Sequence, residues 1–591
     1  MTDELTDQPR PTVDQATERS NLGVAALLGL TASPFVVAAV VVATRDWAAA
    51  GDQAIQLLRI ADVGTADTPL VGAWSRWGWN HPGPWPAYVL APFTWLFGNV
   101  GALIGTLVVN MASLLLAVVM GRRRGGMPAA VLVALAGLLV GFAQGPTVLM
   151  DLWNPFVGLF PLYALFVAAW SLSDRDWAML PFAVALASFS VQAHVGYLPV
   201  VASIVLVGVV LGVMAPLPDG ATSNWRRPVA VAVGVATIAW LPPLLEALGN
   251  GGGNIADLAR YAVDSPEPAI GWSVASRIFA TELGAPGAWM TGAEFDLFGS
   301  SPSPVAAIVV VLAAGVLGEL ARRAGARSAG RLAVIAVVSV LASWVATSRI
   351  SGLLYDYLLV WWWAVGAAVW LSIAWSAWSL LDLRRPHLAP WATAAALAAT
   401  AVVAVGLAGR STDPDLPGAR HSPAVDALID QIEPELDEDD SYVVEWRDTY
   451  DFGYVGMGVF AALEHDGYDV VVPTTAGFAF EPDQRGDVAD QRLVVSTRDD
   501  DALYPPPDGS LLVARYDPLT SRERAEADAL WSTVSEQAGR AAVAPGMVSS
   551  PLGRAALVDA GVETELVDRI TQVWDRGQAF VVYLAPGAVG T

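Results

Sequence analysis

"LGVAALLGLTASPFVVAAVVVAT", Leu22–Thr44, followed by "RDWAAAGDQAIQLLRIADVG", Arg45–Gly64, is the stretch on which the reading of the fold turns. The first part carries no charge, and about 20 mostly apolar residues suffice for a helix to cross a bilayer. It is too long for the apolar part of a cleaved signal peptide. Its preceding segment is acidic and further apolar runs follow it, so it reads as a retained span. Charges resume at Arg45, and Asp52 stands eight residues beyond Thr44. From Gln53 onward the apolar residues recur at helical spacing. An acid at a helix start is favoured by the free backbone N–H groups there. Asp52 therefore reads equally as a helix cap or as a chemical group beside the membrane, and capping would itself fix the direction of the carboxylate.

Outward from this stretch the apolar runs multiply. With the first at 22–44, we expect about eleven spans, the others near 100–120, 127–145, 155–172, 177–192, 198–215, 229–248, 304–321, 331–348, 357–380 and 388–409. The composition agrees: 54% of the 591 residues are hydrophobic and 15% charged, against about 25% charged in soluble domains. Cysteine is absent, which excludes disulfides and thiolate chemistry. All 33 basic residues are arginine.

The arginines orient the chain. Arg122, Arg123 and Arg124 follow the second span, Arg226 and Arg227 the sixth, Arg322, Arg323, Arg327 and Arg331 surround the turn after the eighth, and Arg384 and Arg385 follow the tenth. These loops share one side, expected to be cytoplasmic together with the N-terminus. Loops 45–99 and 249–303 are then extracytoplasmic. The first is rich in Trp, Pro and Gly; the second contains helical patterns suited to the membrane surface. A disordered cytoplasmic tail is expected over 1–21, and the membrane domain over 22–410.

Residues 411–591 form the remaining domain, outside the membrane. Of the formal net charge of -24, about -22 lies beyond Ser411. A nucleic-acid partner is excluded by this acidity, because phosphate backbones demand a basic face. "SYVVEW", "YDVVVP", "RLVVST", "SLLVARY" and "AFVVYL" read as strands, with helices between several of them, predicting a small α/β layer domain. No glycine-rich nucleotide loop occurs there. The expected fold class is thus a mainly α polytopic membrane protein with a C-terminal extracytoplasmic α/β domain.

Chemistry-bearing residues gather in the presumptive outer segments, since ionisable groups at membrane depth are costly. "SRWGWNHPGPWPAYVLAP" places Arg76, Trp77, Trp79, Asn80, His81 and Trp85 within ten residues, in a chain stiffened by prolines. A tryptophan belt accounts for the indoles but not for the polar groups among them. His81 reads as a proton carrier, a phosphate donor or a structural cap of the loop. "MDLWNP" supplies Asp151 and Asn154, "VQAHVGYLP" supplies Gln192, His194 and Tyr197, and "TSRISGLLYDYL" supplies Arg349, Tyr355, Asp356 and Tyr357. The second long loop adds Asp264, Glu267, Glu282, Glu294 and Asp296. No metal-ligand spacing such as HxxxH is present, so no cofactor is expected and a divalent metal is left open without support from the sequence.

With these features in place, the architecture resembles the GT-C membrane glycosyltransferases, which use polyprenyl-phosphate-linked sugars. The shared features are an acid soon after the first span, a long surface-helical loop, about eleven spans and an outer C-terminal domain. "GDQAIQLLRIADVG", "PLVGAWSRWGWNHPGPWPAYVLAP", "DLWNPF" and "QAHVGY" resemble actinobacterial mannosyl- or arabinosyltransferase-like members, over roughly residues 20–410. The resemblance implies a plasma-membrane enzyme that moves a sugar from a lipid phosphate to an envelope glycan, lipid or protein acceptor, with inversion. It implies Asp52 as general base. It implies Arg349, with Arg76, Arg59 and His81, at the donor phosphate, and Trp77, Trp79, Asn80, Asp151, Asn154, His194, Tyr197, Tyr355 and Asp356 around sugar or acceptor. The paired acid frequent in that family's first loop is replaced by Gln53, which favours a lone base over a paired-acid metal site. A transporter or flippase of a lipid-linked precursor would show charges within spans or broken helices in matched halves, and the sequence has few such charges. A non-catalytic envelope-assembly protein predicts a first-loop cluster that tolerates substitution.

Overall fold

The computed structural model describes residues 13–216, 225–293, 295, 302–448, 453–481, 483–498, 505–539, 548, 551–574 and 576–587. Glu294 and Asp296 lie outside them. Helix α1 (Val13–Val42) already includes residues expected in the tail, because the helical pattern continues on the N-terminal side of the apolar run. After a short segment come α2 (Gly51–Ala61) and α3 (Trp85–Phe97), then the longest helical element, α4 (Val100–Gln144).

This last element is a folded-back pair. Gly125 and Gly126 leave helical geometry, and Gly126 has a φ of +66°, a conformation that L side chains disfavour. A Cβ at Gly121 would lie 2.8 Å from the side chain of Val133 across the hairpin. The run from Arg122 to Gly126 therefore turns the chain and leaves three arginines at one end.

The bundle continues with α5 (Asn154–Val157), α6 (Leu159–Ser173), α7 (Leu180–Ala193), α8 (Leu198–Met214) and α9 (Arg226–Gly249). Helices α10 (Gly253–Val263), α11 (Gly271–Leu283) and α12 (Ala288–Thr291) occupy the second long loop. Helices α13 (Pro304–Arg323), α14 (Arg327–Ser348), α15 (Trp361–Arg384) and α16 (Ala389–Arg410) complete the set. Nine helices among the described residues are long and apolar enough to cross a membrane. Counting the α4 hairpin twice and adding the shorter apolar stretch Trp177–Ala193 recovers the eleven expected spans. Helix α6 is buried along its whole length and forms the axis of the bundle. The outer faces of α9, α13 and α16 leave Ile238, Leu312 and Val402 well exposed, as a lipid solvent allows.

The two ends of the bundle differ. At one end, Asp176 accepts from Arg123 and Arg124, and Asp174 pairs with Arg331 and lies 3.7 Å from Arg124. This network joins turns that the arginine pattern assigned to one side. The opposite end carries both long loops and the C-terminal domain.

That domain begins with α17 (Ser422–Ile432) and strand β1 (Ser441–Arg447), followed by α18 (Tyr454–His465) and β2 (Asp469–Val471). Strands β3 (Gln491–Thr497), β4 (Leu511–Tyr516) and β5 (Phe580–Pro586) complete a five-stranded sheet of order β2-β1-β3-β5-β4. β1 lies parallel to β2 and β3, with Tyr442 opposite Gln491, and β5 runs antiparallel to β3 and β4. Helices α19 (Ser521–Ala538), α20 (Pro551–Asp559) and α21 (Thr564–Trp574) lie between β4 and β5. Thr520 and Glu523 cap α19 reciprocally. One hydrophobic core runs without a break from α1 through the bundle to the sheet.

The first long loop joins the two parts. The Trp47 indole donates to the Pro417 carbonyl at 2.8 Å and the Ala48 N–H to Ser422 Oγ at 3.2 Å. Arg45 pairs with Asp413, and Arg59 with Glu481 at 3.1 Å. Helix α18 packs along α2.

Candidate functional site

Helix α2 begins at Gly51, whose φ is +55° and whose N-terminal neighbour Ala50 supplies no side-chain cap. Asp52 is therefore not the cap that local sequence allowed. It sits in the first helical turn, where the backbone dipole still favours a carboxylate. It is half-buried, and its Oδ2 accepts from the Tyr454 hydroxyl at 3.4 Å. No cation pairs with it among the described residues. Burial pushes its pKa up to about 6, against the opposing pull of the Tyr454 hydrogen bond.

The next residue, Gln53, is buried and hydrogen-bonds Asp151. Asp151 also accepts from the Trp153 N–H at 2.9 Å. Burial raises Asp151 to about 6, partly countered by these two bonds, and the charge of Asp52 raises it further. A second acid near Asp52 thus comes from another turn of the chain. Among the described residues no group of three or more His, Asp or Glu side chains is placed to hold a metal ion.

Aromatic rings wall the same end. Trp153 lies 4.8 Å from Tyr357, which stacks on Tyr355 at 5.7 Å. Tyr357 is close enough to Asp52 and Arg76 to sense both charges. The Arg76 guanidinium sits 5.1 Å from the Tyr355 ring and 4.9 Å from Trp77. Trp77 and Trp79 each contact Tyr261 of α10, at 5.6 and 5.2 Å. The two long loops and the segment after α14 converge here.

Several residues expected at the phosphate or the sugar already have partners within the fold. His81 is buried, its Nδ1 accepts from the Val195 N–H at 3.1 Å, and its ring lies 4.4 Å from that of His194. Burial first, and the neighbouring His194 next, hold its pKa well below the ordinary value and favour the neutral ring. His194 accepts from the Gly196 N–H and burial lowers it to about 4. Arg59 is buried, donates to the Gly72 carbonyl at 2.9 Å and pairs with Glu481, which leaves its charge committed. Arg76 donates to the Leu353 carbonyl at 2.8 Å and ties the first loop to the segment after α14. Asn80 and Asn254 exchange backbone and side-chain hydrogen bonds at 2.7 and 2.8 Å. Asn154 is buried against Gln56 and donates to the Ala193 carbonyl, and the buried Tyr197 donates to Pro155. These three brace loops.

Arg349 differs. It is exposed at the C-terminal end of α14, and its side chain makes no hydrogen bond or ion pair with any described residue. Tyr355 stays within the aromatic wall. Asp356 is exposed and its charge acts on Glu282.

The opposite face of α2 borders a cavity of about 470 Å³, lined by Leu57, Leu58, Ala61 and Asp62 of the α2 region, Trp95 of α3, Val425 of α17, and Ala461 and Glu464 of α18. Asp52 is not part of its lining. Burial raises Asp62 to about 7, helped by the charges of Glu464, Asp67 and Glu481 and opposed by Arg59.

Sequence reasoning did not single out Tyr454, Tyr261 or Trp153. One signal was available for Tyr454. Gly458 and Ala461 follow it at helical spacing, a small-residue face suited to close packing.

The architecture is shared with two solved structures of ArnT from Cupriavidus metallidurans. One has undecaprenyl phosphate bound (TM-score 0.50) and the other is in the apo state (TM-score 0.51). Each is 15% identical to this chain, covering 84% of it and 96% of ArnT. The fold is the GT-C fold. The chain is accordingly a multi-pass membrane protein of GT-C architecture with a small C-terminal sheet domain. No protein-family model matches the sequence, and no curated protein does.

Proposed function

We propose that this protein is an integral-membrane glycosyltransferase that moves a sugar from a polyprenyl-phosphate donor to an acceptor hydroxyl of the cell envelope. The observation that carries the proposal is Asp52: a half-buried carboxylate with no paired cation, raised to about 6. It stands at the end of the bundle where both long loops, the aromatic wall and the C-terminal domain meet. A base with a pKa just below neutrality is mostly ionised at pH 7 and still accepts a proton readily. The GT-C fold, and the lipid phosphate bound to ArnT, support the donor class.

The positive-inside rule makes the Arg123–Arg124–Arg331 end cytoplasmic and the Asp52 end extracytoplasmic. In the proposed reaction Asp52 takes the proton of the acceptor hydroxyl, and the oxygen forms a bond to the anomeric carbon. The bond from that carbon to the phosphate oxygen breaks on the opposite face, with inversion, and the lipid phosphate leaves with the electron pair. Arg349, uncommitted and exposed, is the arginine suited to the departing phosphate. Rings such as Trp77 and Tyr357 offer flat apolar faces for a sugar.

The test uses purified protein in lipid nanodiscs with a panel of polyprenyl-phosphate sugars and envelope glycans. Wild type is expected to transfer sugar from at least one donor. Asp52→Asn is expected to lower kcat/KM by roughly 10²–10⁴-fold. Undiminished transfer by Asp52→Asn would overturn the base assignment, and an inactive wild type across the panel would overturn the reaction class.

A further inference from the structure

We propose that Tyr454 of the C-terminal domain is a positioning residue for Asp52, so that the acidic domain is a working part of the active site and not an accessory to it. The inference rests on the reading of Asp52 as general base.

The local sequence prepares the contact. Gly453, with a φ of +76°, ends the preceding loop, and Tyr454 opens α18. One turn on, Gly458 lets the helix approach the chain just before α2: a Cβ there would fall 2.7 Å from the Ala49 carbonyl oxygen. The approach is matched from the other side. A Cβ at Gly51 would run into the Tyr454 ring, and Gly51 also holds a positive φ. Two glycines, one in each part of the molecule, thus make room for one tyrosine beside one aspartate.

The contact is anchored on both flanks of Asp52. Trp47 and Ala48 bond to Pro417 and Ser422 before it, and Arg59 pairs with Glu481 after it. Helix α2 is therefore held by the C-terminal domain at its start and near its end, which fixes Asp52 relative to Tyr454.

The hydroxyl does something that the ring alone does not. It occupies Oδ2 and leaves Oδ1 without a hydrogen-bond partner among the described residues, directing one oxygen of the carboxylate toward an acceptor proton. A donated O–H also stabilises the ionised carboxylate against the desolvation of the site. The other groups that bear on Asp52 are Asp151 on the turn before α5 and Tyr357 on the segment after α14, with Arg76 and Tyr355 beside Tyr357. His421 lies behind Tyr454, with its ring 5.2 Å away. None of these supplies a hydrogen bond to Asp52 in place of the tyrosine.

The experiment is the pH profile of kcat/KM for full-length Tyr454→Phe, measured beside wild type and Asp52→Asn with the same donor and acceptor. Phenylalanine keeps the ring and its packing, and an unchanged Tm confirms that it does. The acidic limb is expected to move to higher pH by about one unit, which is about a tenfold loss of kcat/KM on the acid side of the limb. A limb that stays in place while Asp52→Asn is inactive overturns the positioning role and leaves the base assignment standing. Transfer retained by Asp52→Asn overturns the base assignment and this inference with it.

Discussion

The acids buried at the two ends of the bundle are handled in opposite ways. At the arginine-rich end Asp174 and Asp176 lie among Arg123, Arg124 and Arg331, with bidentate contact from Arg123 at 3.0 Å. At the other end Asp52 and Asp151 are desolvated without a cation, and His81 and His194 are desolvated as neutral rings. The first arrangement lowers the energy of a folded turn. The second raises the energy of charged forms and holds two carboxylates near the pH at which protons move, at a cost that structure alone does not require. On the proposed function, the contrast marks the first end as structural and the second as the chemical one.

One substitution made at both ends breaks or confirms the contrast. Asp52→Asn is expected to abolish most transfer with Tm nearly unchanged, since an uncompensated carboxylate becomes a neutral amide. Asp174→Asn is expected to do the reverse. It leaves Arg124 and Arg331 short of a counter-charge and lowers stability by about 3 kcal/mol, while kcat/KM per folded molecule stays near wild type. Paired melting curves and initial rates check both. A stable Asp174→Asn, or an Asp52→Asn that loses stability before activity, would erase the distinction.

Asp151→Asn sharpens the comparison within the chemical end. It removes a like charge near Asp52 and weakens the Gln53 contact. Rates are expected to fall by about tenfold, as loosening of a supporting residue does. The acidic limb is expected to move to lower pH, because the remaining carboxylate ionises more easily without its neighbour. That direction is opposite to the one expected for Tyr454→Phe, so the two variants measure separate influences on one group.

The elements were largely legible in the sequence. Long apolar runs, arginines in alternate turns and five β-patterned segments each state a local fact, and local facts survive folding. The hairpin at Gly125–Gly126 was legible for the same reason. The chemical end was legible only in part. Asp52 could be found because it follows a span, but its partners come from other turns and from another domain. Arg59 looked free because Glu481 is remote in sequence. The choice among the three readings of His81 was not legible, because its burial beside His194 is a product of tertiary packing. A sequence displays a charge and withholds its counter-charge, so residue types were legible and their partners were not.

Glu282 provides the finest test, because it is a buried acid at the chemical end that the proposed reaction does not use. It is 2% exposed, its Oε2 has no hydrogen-bond partner among the described residues, and burial, with the charge of Asp356, raises it to about 8. The unfolded chain titrates this group near 4.5, so the folded state binds its proton more tightly. Its contribution to stability is fully present below about 4.5, declines as pH rises toward 8, and is lost above that. Glu282→Gln removes the titration. The variant is expected to match wild type at pH 5 and to exceed it by roughly 4 kcal/mol at pH 9, about 1.4 kcal/mol for each pH unit between 5 and 8. Transfer is expected to change by less than about twofold. Melting curves at the two pH values decide it: an equal loss at both would mean that the side chain acts by packing and not by its proton. A large loss of transfer would place Glu282 beside Asp52 and Asp151 among the groups that the chemistry needs.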